Sequence, residues 1–333
     1  MGLTRTISFL VNLKSGLKQG RYWQPAQSGK DIDVYEPTRS IGTILFLHGM
    51  SKMGKNDPRM QTMAESMASA GFRVLLPQLP SVAKLRITKE QPAEILRIAE
   101  NVINNEFDSR PKPIAIMAVS FSGVFAFKLL EVSNLAHKIG PICVIGGYYR
   151  FDSILEFLTK SKRADLYGRL LLFKNLKMQQ NQISSQIMEA VNISINEGAN
   201  FDKAEKLLGH LQAEHQDHYE ILFPHVFSDS VLCELLAQLK AESKKSWSVY
   251  EVPSFTRLPP RPVFLLHGRQ DKVIPSGESR MLARKLKEAK FPVQLCLTKF
   301  LSHGDTSISL GDLPQLWQLV KSFSWYFKHI NRS

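Results

Sequence analysis

The sequence predicts an α/β fold in which a mostly parallel central sheet carries helices on both faces. Short apolar segments of strand length alternate along the chain with longer segments whose apolar residues recur at helical spacing. The strand-length segments are apolar at nearly every position, as expected for a parallel sheet that is covered on both faces. A length of 333 residues suffices for one large domain, or for a core domain with a substantial insertion.

The predicted strands are short apolar runs, most of them bounded by glycine or proline. They lie at 43–47, 72–76, 114–119, 142–145, 263–266 and 293–297. Helices are predicted at 58–70, 92–105, from about 122 onward, 277–290 and 313–329. The first of these begins at Asp57-Pro58-Arg59, where an N-cap aspartate precedes a proline in the first turn. A role for Arg59 near the mouth of a substrate site is the alternative.

One long segment breaks the alternation of strands and helices. Residues 151–256 contain several helix-like patterns and no convincing buried strand. The patterns lie at 154–158, 170–176, 183–191, 204–211 and 231–239. Gly146 and Gly147 precede the segment, and a group of prolines marks its end. We therefore predict a core domain formed by 1–150 and 257–333, with 151–256 inserted between core strands as a helical cap or lid.

Composition and charge exclude several classes of protein. The chain is 44% apolar and 22% charged, and no apolar run approaches the roughly 18 residues that span a bilayer. The net charge of +13 is spread over the portions on either side of the cap segment without an arginine-rich block, so no nucleic-acid partner is expected. Three cysteines form no disulfide framework, which favours a reducing compartment. We expect a cytoplasmic protein without an integral membrane segment.

A serine follows directly on a buried strand in the run IAIMAVSFSG at 114–123. Ser120 has small residues two positions to either side, Ala118 and Ser122. A sharp strand-to-helix turn needs such neighbours to hold a strained and exposed nucleophile. Ser122 is the alternative nucleophile, although β-branched Val124 would then occupy the crowded position two residues on. A helix N-cap is the other common role of a serine after a strand.

Several motifs, in this order along the chain, resemble those of the α/β-hydrolase superfamily. They are HGM at 48–50, the turn at Ser120, VFLLHGRQDKVIP at 263–275 and LSHGD at 301–305. The resemblance covers nearly the whole chain, and the order of nucleophile, acid and histidine is typical of the superfamily. The turn departs from the Gly-x-Ser-x-Gly pattern because Ala118 and Ser122 stand at the two glycine positions.

The resemblance implies a catalytic triad of Ser120, Asp271 and His303. In that role His303 removes the serine proton and later protonates the leaving group, while Asp271 orients the imidazole. The resemblance also implies an oxyanion hole formed by the backbone N–H groups of Met50 and Phe121. No metal or cofactor is implied.

Other residues near these motifs have competing roles. Tyr148 and Tyr149 follow the strand at 142–145 and are expected to line the substrate pocket. Asp152 is the alternative acid, because some members of the superfamily carry theirs after this strand. His48 and His267 adjoin strands and are expected to be structural. The remaining candidates are assigned to loop or polar surface rather than to a metal site: Asp305, His210, His215 and His218.

The resemblance therefore implies a serine hydrolase that acts on a small-molecule carboxylic ester or thioester through an acyl-enzyme. The cap would form the pocket, and its many Leu, Ile and Phe residues favour a substrate with an apolar group. Peptidase and acyltransferase activities are alternatives, because the same triad serves all of them. A ligand-binding protein of the same fold with negligible turnover is the alternative from a different class.

Overall fold

The computed structural model describes residues 2–15, 24–28, 31–161, 163–180, 189, 191–193, 195, 234, 247–301 and 313–331. Within these residues lies a sheet of eight strands. The strands are β1 Gln24–Ser28, β2 Ile32–Glu36, β3 Thr43–Leu47, β4 Arg73–Pro77, β5 Ile114–Val119, β6 Ile139–Ile145, β7 Val263–Gly268 and β8 Val293–Thr298. Their order across the sheet is β1-β2-β4-β3-β5-β6-β7-β8.

Strands β3 to β8 are parallel to their neighbours, which confirms the six predicted strands and the mostly parallel sheet. Strands β1 and β2 pair antiparallel with each other, and β2 pairs antiparallel with β4. These two strands are absent from the prediction. β2 carries Asp33 and Glu36, and β1 reads QPAQS, so neither has a continuous apolar run. A search for continuous apolar runs therefore does not find either strand.

Nine helices of the described residues flank the sheet. They are α1 Gly2–Ser15, α2 Pro58–Ser69, α3 Pro80–Ala83, α4 Gln91–Ser109, α5 Gly123–Lys128, α6 Phe151–Lys160, α7 Leu166–Gln180, α8 Gly277–Glu288 and α9 Leu313–Ile330. The five helices predicted outside the cap segment are confirmed within a few residues at each end. In the part of the chain that the structure describes, no helix is long and apolar enough to cross a membrane.

The first turn of α2 confirms the predicted N-cap. The Arg59 N–H donates to Asp57 Oδ1 at 3.0 Å, and the Arg59 guanidinium donates to Oδ2 of the same carboxylate at 2.6 Å. Burial would raise the pKa of Asp57, but the hydrogen bonds from Arg59 and its charge lower that pKa below the ordinary value. The charged carboxylate therefore satisfies the start of the helix, which favours negative charge.

Apolar side chains cover both faces of the sheet. Along β3, Leu45 and Leu47 belong to one buried cluster, while Ile44 and Phe46 belong to another. The first cluster includes residues of α4 to α8, and the second includes residues of α1, α2 and α9. Because side chains alternate across a strand, this division places helices on both faces, as the sequence predicts.

Between β6 and β7 the described residues include two α-helices, followed at 247–262 by two 3-10 turns and irregular chain. Helices α6 and α7 contain the predicted patterns at 154–158 and 170–176, and the other three patterns lie wholly or largely outside the described residues. Apolar residues of both helices, among them Leu155 and Leu170, are buried in the same cluster as β3 and β5. They pack this segment onto the core. The division into a core and a cap stays a prediction.

Candidate active site

Ser120 stands at the tip of a sharp turn between β5 and α5. The strand ends at Val119, residues Ser120–Ser122 form a 3-10 turn, and α5 begins at Gly123. The backbone φ of Ser120 is +55°, in the left-handed region that residues with a side chain rarely adopt. Such strain persists only where the surroundings enforce it, and it concentrates at functional sites.

Glycines surround this turn at close range. A Cβ on Gly49 would lie 3.2 Å from the Val119 carbonyl oxygen and 3.4 Å from the Ser120 Cβ. A Cβ on Gly123 would lie 2.6 Å from the Val144 Cγ1, and one on Gly147 would lie 2.3 Å from the same atom. Any side chain at these three glycines would crowd the turn or overlap Val144 of β6. The backbone segments can therefore pack this closely only because the three residues are glycine.

The neighbouring serine is placed quite differently. Ser122 is fully buried, and its hydroxyl donates to the His48 carbonyl oxygen at 2.6 Å. The bond ties α5 to the end of β3. Ser120, in contrast, is half-buried at the turn.

His48 is a buried structural residue, as the sequence predicts. Its Nε2 accepts from the Leu79 N–H at 3.0 Å, so the proton sits on Nδ1, which donates to the Gly49 carbonyl oxygen at 2.9 Å. Burial lowers the pKa of His48, although the Gly49 carbonyl and the Asp57 charge act in the opposite direction. The neutral ring holds the loop after β3 against the loop after β4.

The loop that contains Met50 is held at several points. The Lys55 ammonium lies 2.6 Å from Asp33 Oδ1, and its backbone N–H donates to Gln78 Oε1 at 2.9 Å. Gly54 adopts a φ of +55°, a conformation that favours glycine, directly against the Gln78 side chain. The loop is therefore fixed in place beside Ser120 before any ligand arrives.

Asp271 follows β7 in a turn that supplies hydrogen bonds to its carboxylate. Oδ1 accepts from the N–H groups of Val273 and Ile274, at 2.8 and 2.9 Å. Burial would raise the pKa of Asp271, but His267 and these two N–H groups lower it below its ordinary value. The side chain is only 18% exposed and is held as a carboxylate.

His267 braces this turn from the interior. Its Nε2 lies 2.8 Å from the Ile274 carbonyl oxygen and 3.5 Å from Asp271 Oδ2, and its Nδ1 lies 2.7 Å from the Ser279 hydroxyl. A carbonyl only accepts, so Nε2 carries the proton and Nδ1 accepts from Ser279. The prediction of a structural His267 is confirmed. Ser279 is absent from the prediction, because no spacing rule connects a helix residue to a strand histidine.

The acid turn and the serine turn meet at the same edge of the sheet. Val119 pairs with Ile145 in the parallel ladder, and Gly146 follows Ile145 directly. A Cβ on Gly146 would lie 3.7 Å from Asp271 Oδ2. The carboxylate oxygen that the two backbone N–H groups leave unused therefore points to the loop beside β5. The carboxyl ends of parallel strands are where such sheets place their ligands.

No protein-family model matches the chain, and no curated protein gives a significant match. Solved structures do match. A Legionella pneumophila protein described as a hydrolase has a TM-score of 0.59 at 13% identity, covering 98% of this chain and 95% of its own. Brefeldin A esterase, a bacterial homologue of human hormone-sensitive lipase, has a TM-score of 0.52 at 13% identity, covering 100% and 87%. The chain has the α/β-hydrolase fold.

A larger protein also matches. Pyrococcus horikoshii acylaminoacyl peptidase has a TM-score of 0.50 at 16% identity, covering 95% of this chain. The chain spans only 42% of the length of that peptidase. At these identities the likeness concerns the α/β-hydrolase fold alone.

The predicted base His303 lies outside the described residues, and so does Asp305, which the sequence assigns to a loop. The last described residue before them, Leu301, packs on β7, because a Cβ on Gly268 would lie 3.2 Å from its carbonyl oxygen. The three cap histidines at 210, 215 and 218 also lie outside the described residues. Among the residues that are described, no group of His, Cys, Asp and Glu could hold a metal ion.

The alternative acid has surroundings unlike those of Asp271. Asp152 is exposed in the first turn of α6. Its charge is among the causes that raise the pKa of Glu251, after burial of that carboxyl. Asp152 thus stands beside another acidic side chain at a helix start, whereas Asp271 sits among hydrogen-bond donors.

The two tyrosines predicted to line the pocket differ in burial. Tyr148 is 2% exposed, and its hydroxyl donates to the Tyr250 carbonyl oxygen at 3.0 Å. Its ring and that of Phe121 both pack against Phe151 under the helical segment. Tyr149 is half-buried, and its backbone N–H donates to Glu278 Oε2 at 3.0 Å. Tyr148 joins the segment to the core, and Tyr149 lies nearer the surface.

Proposed function

We propose that the protein is a serine hydrolase that cleaves a carboxylic ester or thioester through an acyl-enzyme on Ser120. The observation that carries this proposal is the left-handed backbone of Ser120, at φ +55°, between a buried strand and a helix. A structural serine has no need of such strain, whereas a nucleophile must be lifted clear of the sheet. The α/β-hydrolase fold supports the same reaction class by analogy.

In this mechanism His303 removes the Ser120 proton as Oγ attacks the carbonyl carbon and the carbonyl electrons move to oxygen. The resulting imidazolium returns its proton to the leaving alcohol or thiol as the tetrahedral intermediate collapses. Water then attacks the acyl-enzyme with His303 as base, releasing the acid and restoring Ser120. Leu301, two residues before His303 in the sequence, packs against Gly268, which is three residues before Asp271.

Asp271 orients the imidazole and stabilises its protonated form. The support for this role is the geometry of its carboxylate, in which two backbone N–H groups occupy Oδ1 and Oδ2 faces the edge of the sheet. The lowered pKa keeps the group charged in neutral solution, as a partner to imidazolium requires.

The oxyanion is stabilised by the backbone N–H groups of Met50 and Phe121. Phe121 is in the first turn of the helical segment that starts at Ser120, where N–H groups have no intrahelical partner and favour negative charge. Met50 directly follows Gly49, and a Cβ on Gly49 would lie 3.4 Å from the Ser120 Cβ. A preorganised donor of this kind is worth about 3 kcal/mol of barrier.

We propose that the substrate contacts the residues that follow β6 and the cap segment at 151–256. Tyr149 is the better candidate for a pocket wall, because Tyr148 is committed to Tyr250 and to the aromatic contacts below the helices. The described apolar residues of α6 and α7 are used to pack onto the core. An apolar acyl group would therefore contact parts of the cap other than these buried side chains.

A fluorophosphonate probe tests the nucleophile. The probe phosphonylates an activated serine, so we expect one adduct, located on Ser120 by peptide mass spectrometry. Ser120→Ala should abolish the adduct, and the matched variant Ser122→Ala should retain it. An adduct on Ser122, or labelling that survives Ser120→Ala, would contradict the proposal.

Reaction class is tested with substrates that share one acyl group. A 4-nitrophenyl ester, the corresponding thioester and the corresponding anilide separate ester, thioester and amide cleavage, and product analysis with added alcohol separates hydrolysis from acyl transfer. We expect ester or thioester turnover that disappears in Ser120→Ala. Turnover of the anilide alone would instead favour a peptidase.

A further inference from the structure

A cavity of about 470 Å³ opens between the loop after β3, the residues that follow α3 and the helix α7. Its lining consists of one alanine and four cationic residues: Lys52, Ala83, Lys84, Arg86 and Lys174. In the part of the chain that the structure describes, no carboxylate lines it. A cavity of this size is in the range that holds small-molecule ligands.

The cations of the cavity act on one another. The pKa of Lys174 is lowered, first by burial and then by the charges of Lys52 and Arg86. The Lys174 ammonium donates to Asn192 Oδ1 at 2.9 Å, which orients the group without neutralising it. The positive charges of Lys52, Arg86 and Lys174 repel one another, and a bound anion would reduce that repulsion.

The walls of the cavity are fixed to each other by Asn175. Its Nδ2 donates to the Leu85 carbonyl oxygen at 3.0 Å, and its Oδ1 accepts from the Ile87 N–H at 2.8 Å. Leu85 is fully buried and has a left-handed φ of +56°. Lys84 and Arg86, on either side of this anchored residue, are exposed. The buried asparagine thus holds α7 and the basic loop in one arrangement before a ligand binds.

The cavity lies close to the proposed oxyanion hole. Lys52 is two residues beyond Met50, and a Cβ on Gly49 would lie 3.4 Å from the Ser120 Cβ. Three residues of chain span at most about 11 Å between Cα atoms, so Lys52 is anchored within that distance of Gly49. This bound on the position of Lys52 relative to Gly49, which lies beside Ser120, places the cavity on the side of the proposed oxyanion hole.

We propose that this cavity binds an anionic group of the substrate, a carboxylate or a phosphate, on the part of the molecule remote from the scissile bond. The inference rests on the proposed function, and it narrows the substrate to an ester or thioester with a negative charge at one end. Lysine supplies a mobile point charge and Arg86 a planar donor pair, and both suit carboxylate or phosphate oxygens.

The first test compares 4-nitrophenyl octanoate with mono-4-nitrophenyl suberate at low ionic strength. The two acyl chains have equal length and differ by the terminal carboxylate. The measured quantity is the ratio of kcat/KM for the suberate ester to kcat/KM for the octanoate ester. We expect this ratio to fall about tenfold or more in Lys84→Gln/Arg86→Gln, because two charge-assisted contacts are lost. The matched variant Lys287→Gln, at an exposed position on α8, should leave the ratio unchanged.

The second test measures binding of inorganic phosphate to full-length Ser120→Ala by isothermal titration calorimetry, with and without Lys84→Gln/Arg86→Gln. Phosphate should bind Ser120→Ala, lose its binding in the triple variant, and inhibit the wild type competitively against the suberate ester. Phosphate that binds without competing would show a site for a free anion, which would overturn the inference.

The two tests separate failure of this inference from failure of the proposed function. Hydrolysis of both esters with a ratio that does not change in Lys84→Gln/Arg86→Gln overturns the anionic substrate alone. Absence of any ester hydrolysis, with phosphate binding that depends on Lys84 and Arg86, overturns the hydrolase and the substrate role of the cavity together.

Discussion

The serine turn and the acid turn lie at the same edge of the sheet but are held by different forces. Around Ser120 the backbone is confined by close contacts with Gly49, Gly123 and Val144, and no flexible side chain intervenes. Around Asp271 the backbone is ordinary, and the carboxylate is held by two N–H groups and the buried imidazole of His267. The first turn should fail through steric overlap, and the second through loss of charge or of a hydrogen bond.

The largest expected effect is on catalysis, in Asp271→Asn. The amide oxygen can still accept from Val273 and Ile274, but the NH₂ group that replaces Oδ2 donates and cannot stabilise an imidazolium. We expect kcat for a 4-nitrophenyl ester to fall about a thousandfold or more. Asp152→Asn, at the exposed start of α6, should stay within about twofold of the wild type. The reverse order of the two variants would transfer the acid role to Asp152.

The next effect is on stability, in Gly123→Ala. The new methyl group would lie 2.6 Å from the Val144 Cγ1, and valine in a buried strand has little freedom to rotate away. We expect the free energy of unfolding in urea to fall by about 1–3 kcal/mol. Gly277→Ala provides the control, because nothing lies within 4 Å of a Cβ at that helix position. The control should be neutral or slightly stabilising.

A second substitution makes the steric cause explicit. Val144→Ala removes the atom that Gly123→Ala would meet, so the double variant should be more stable than the sum of the two single effects predicts. Additive losses in the double-mutant cycle would mean that the contact with Val144 is not what limits Gly123.

The sequence predicts the six parallel strands of the sheet, because all six are marked by the same signal, a short apolar run. Strands β3 to β8 are apolar at most positions, and each contributes side chains to the clusters on both faces of the sheet, so length and composition mark them. Strand β2 is missed because Asp33 and Glu36 interrupt its apolar residues. Asp33 is half-buried and forms an ion pair with Lys55, a contact between residues that no local pattern relates.

The candidate site likewise contains residues that the sequence predicts and contacts that it does not predict. Ser120 and Asp271 are visible in the sequence because each directly follows a strand within a short motif. Their contacts with distant parts of the chain are not visible: Gly49 approaches Ser120 from the loop after β3, and Gly146 approaches Asp271 from the loop after β6. The cationic cavity is likewise invisible, because Lys52, Lys84, Arg86 and Lys174 come from three separate elements that tertiary packing brings together.

Low pH should destabilise the acid turn through protonation of Asp271, and the serine turn contains no corresponding carboxylate. The pKa of this carboxyl is lowered in the folded protein, so its contribution to stability is present above the unfolded value of about 3.9 and is lost as the pH falls through the folded value. We expect the free energy of unfolding to decline below about pH 4, with a shallower decline in Asp271→Asn. Asp57, whose pKa is also lowered, contributes a decline of the same sign in both proteins.

The control for this pH series is an aspartate outside both turns. Asp108 has a side chain that is 75% exposed, so Asp108→Asn should keep the wild-type decline. Urea unfolding between pH 3 and 6 measures all three proteins. Equal slopes in the wild type and Asp271→Asn would show that the acid turn stores no net charge stabilisation.

The smallest effects come from two buried hydroxyls, one in the serine turn and one on α8 beside the acid turn. Ser122 donates to the His48 carbonyl, and Ser279 donates to the imidazole of His267. Removing either hydroxyl leaves a buried acceptor without that donor, so Ser122→Ala and Ser279→Ala should each lower the free energy of unfolding by about 1–2 kcal/mol.

The two variants should differ in kcat. The difference distinguishes the glycine contacts that hold the serine turn from the hydrogen bonds that hold the acid turn. The backbone of the serine turn stays confined by its glycine contacts when the Ser122 hydroxyl is lost, so kcat should change less than about twofold. Loss of the Ser279 hydroxyl frees the ring of His267, which lies 3.5 Å from Asp271 Oδ2, so kcat should fall several-fold with little change in KM. Equal kcat values in the two variants would mean that the acid turn is held by its backbone N–H groups alone.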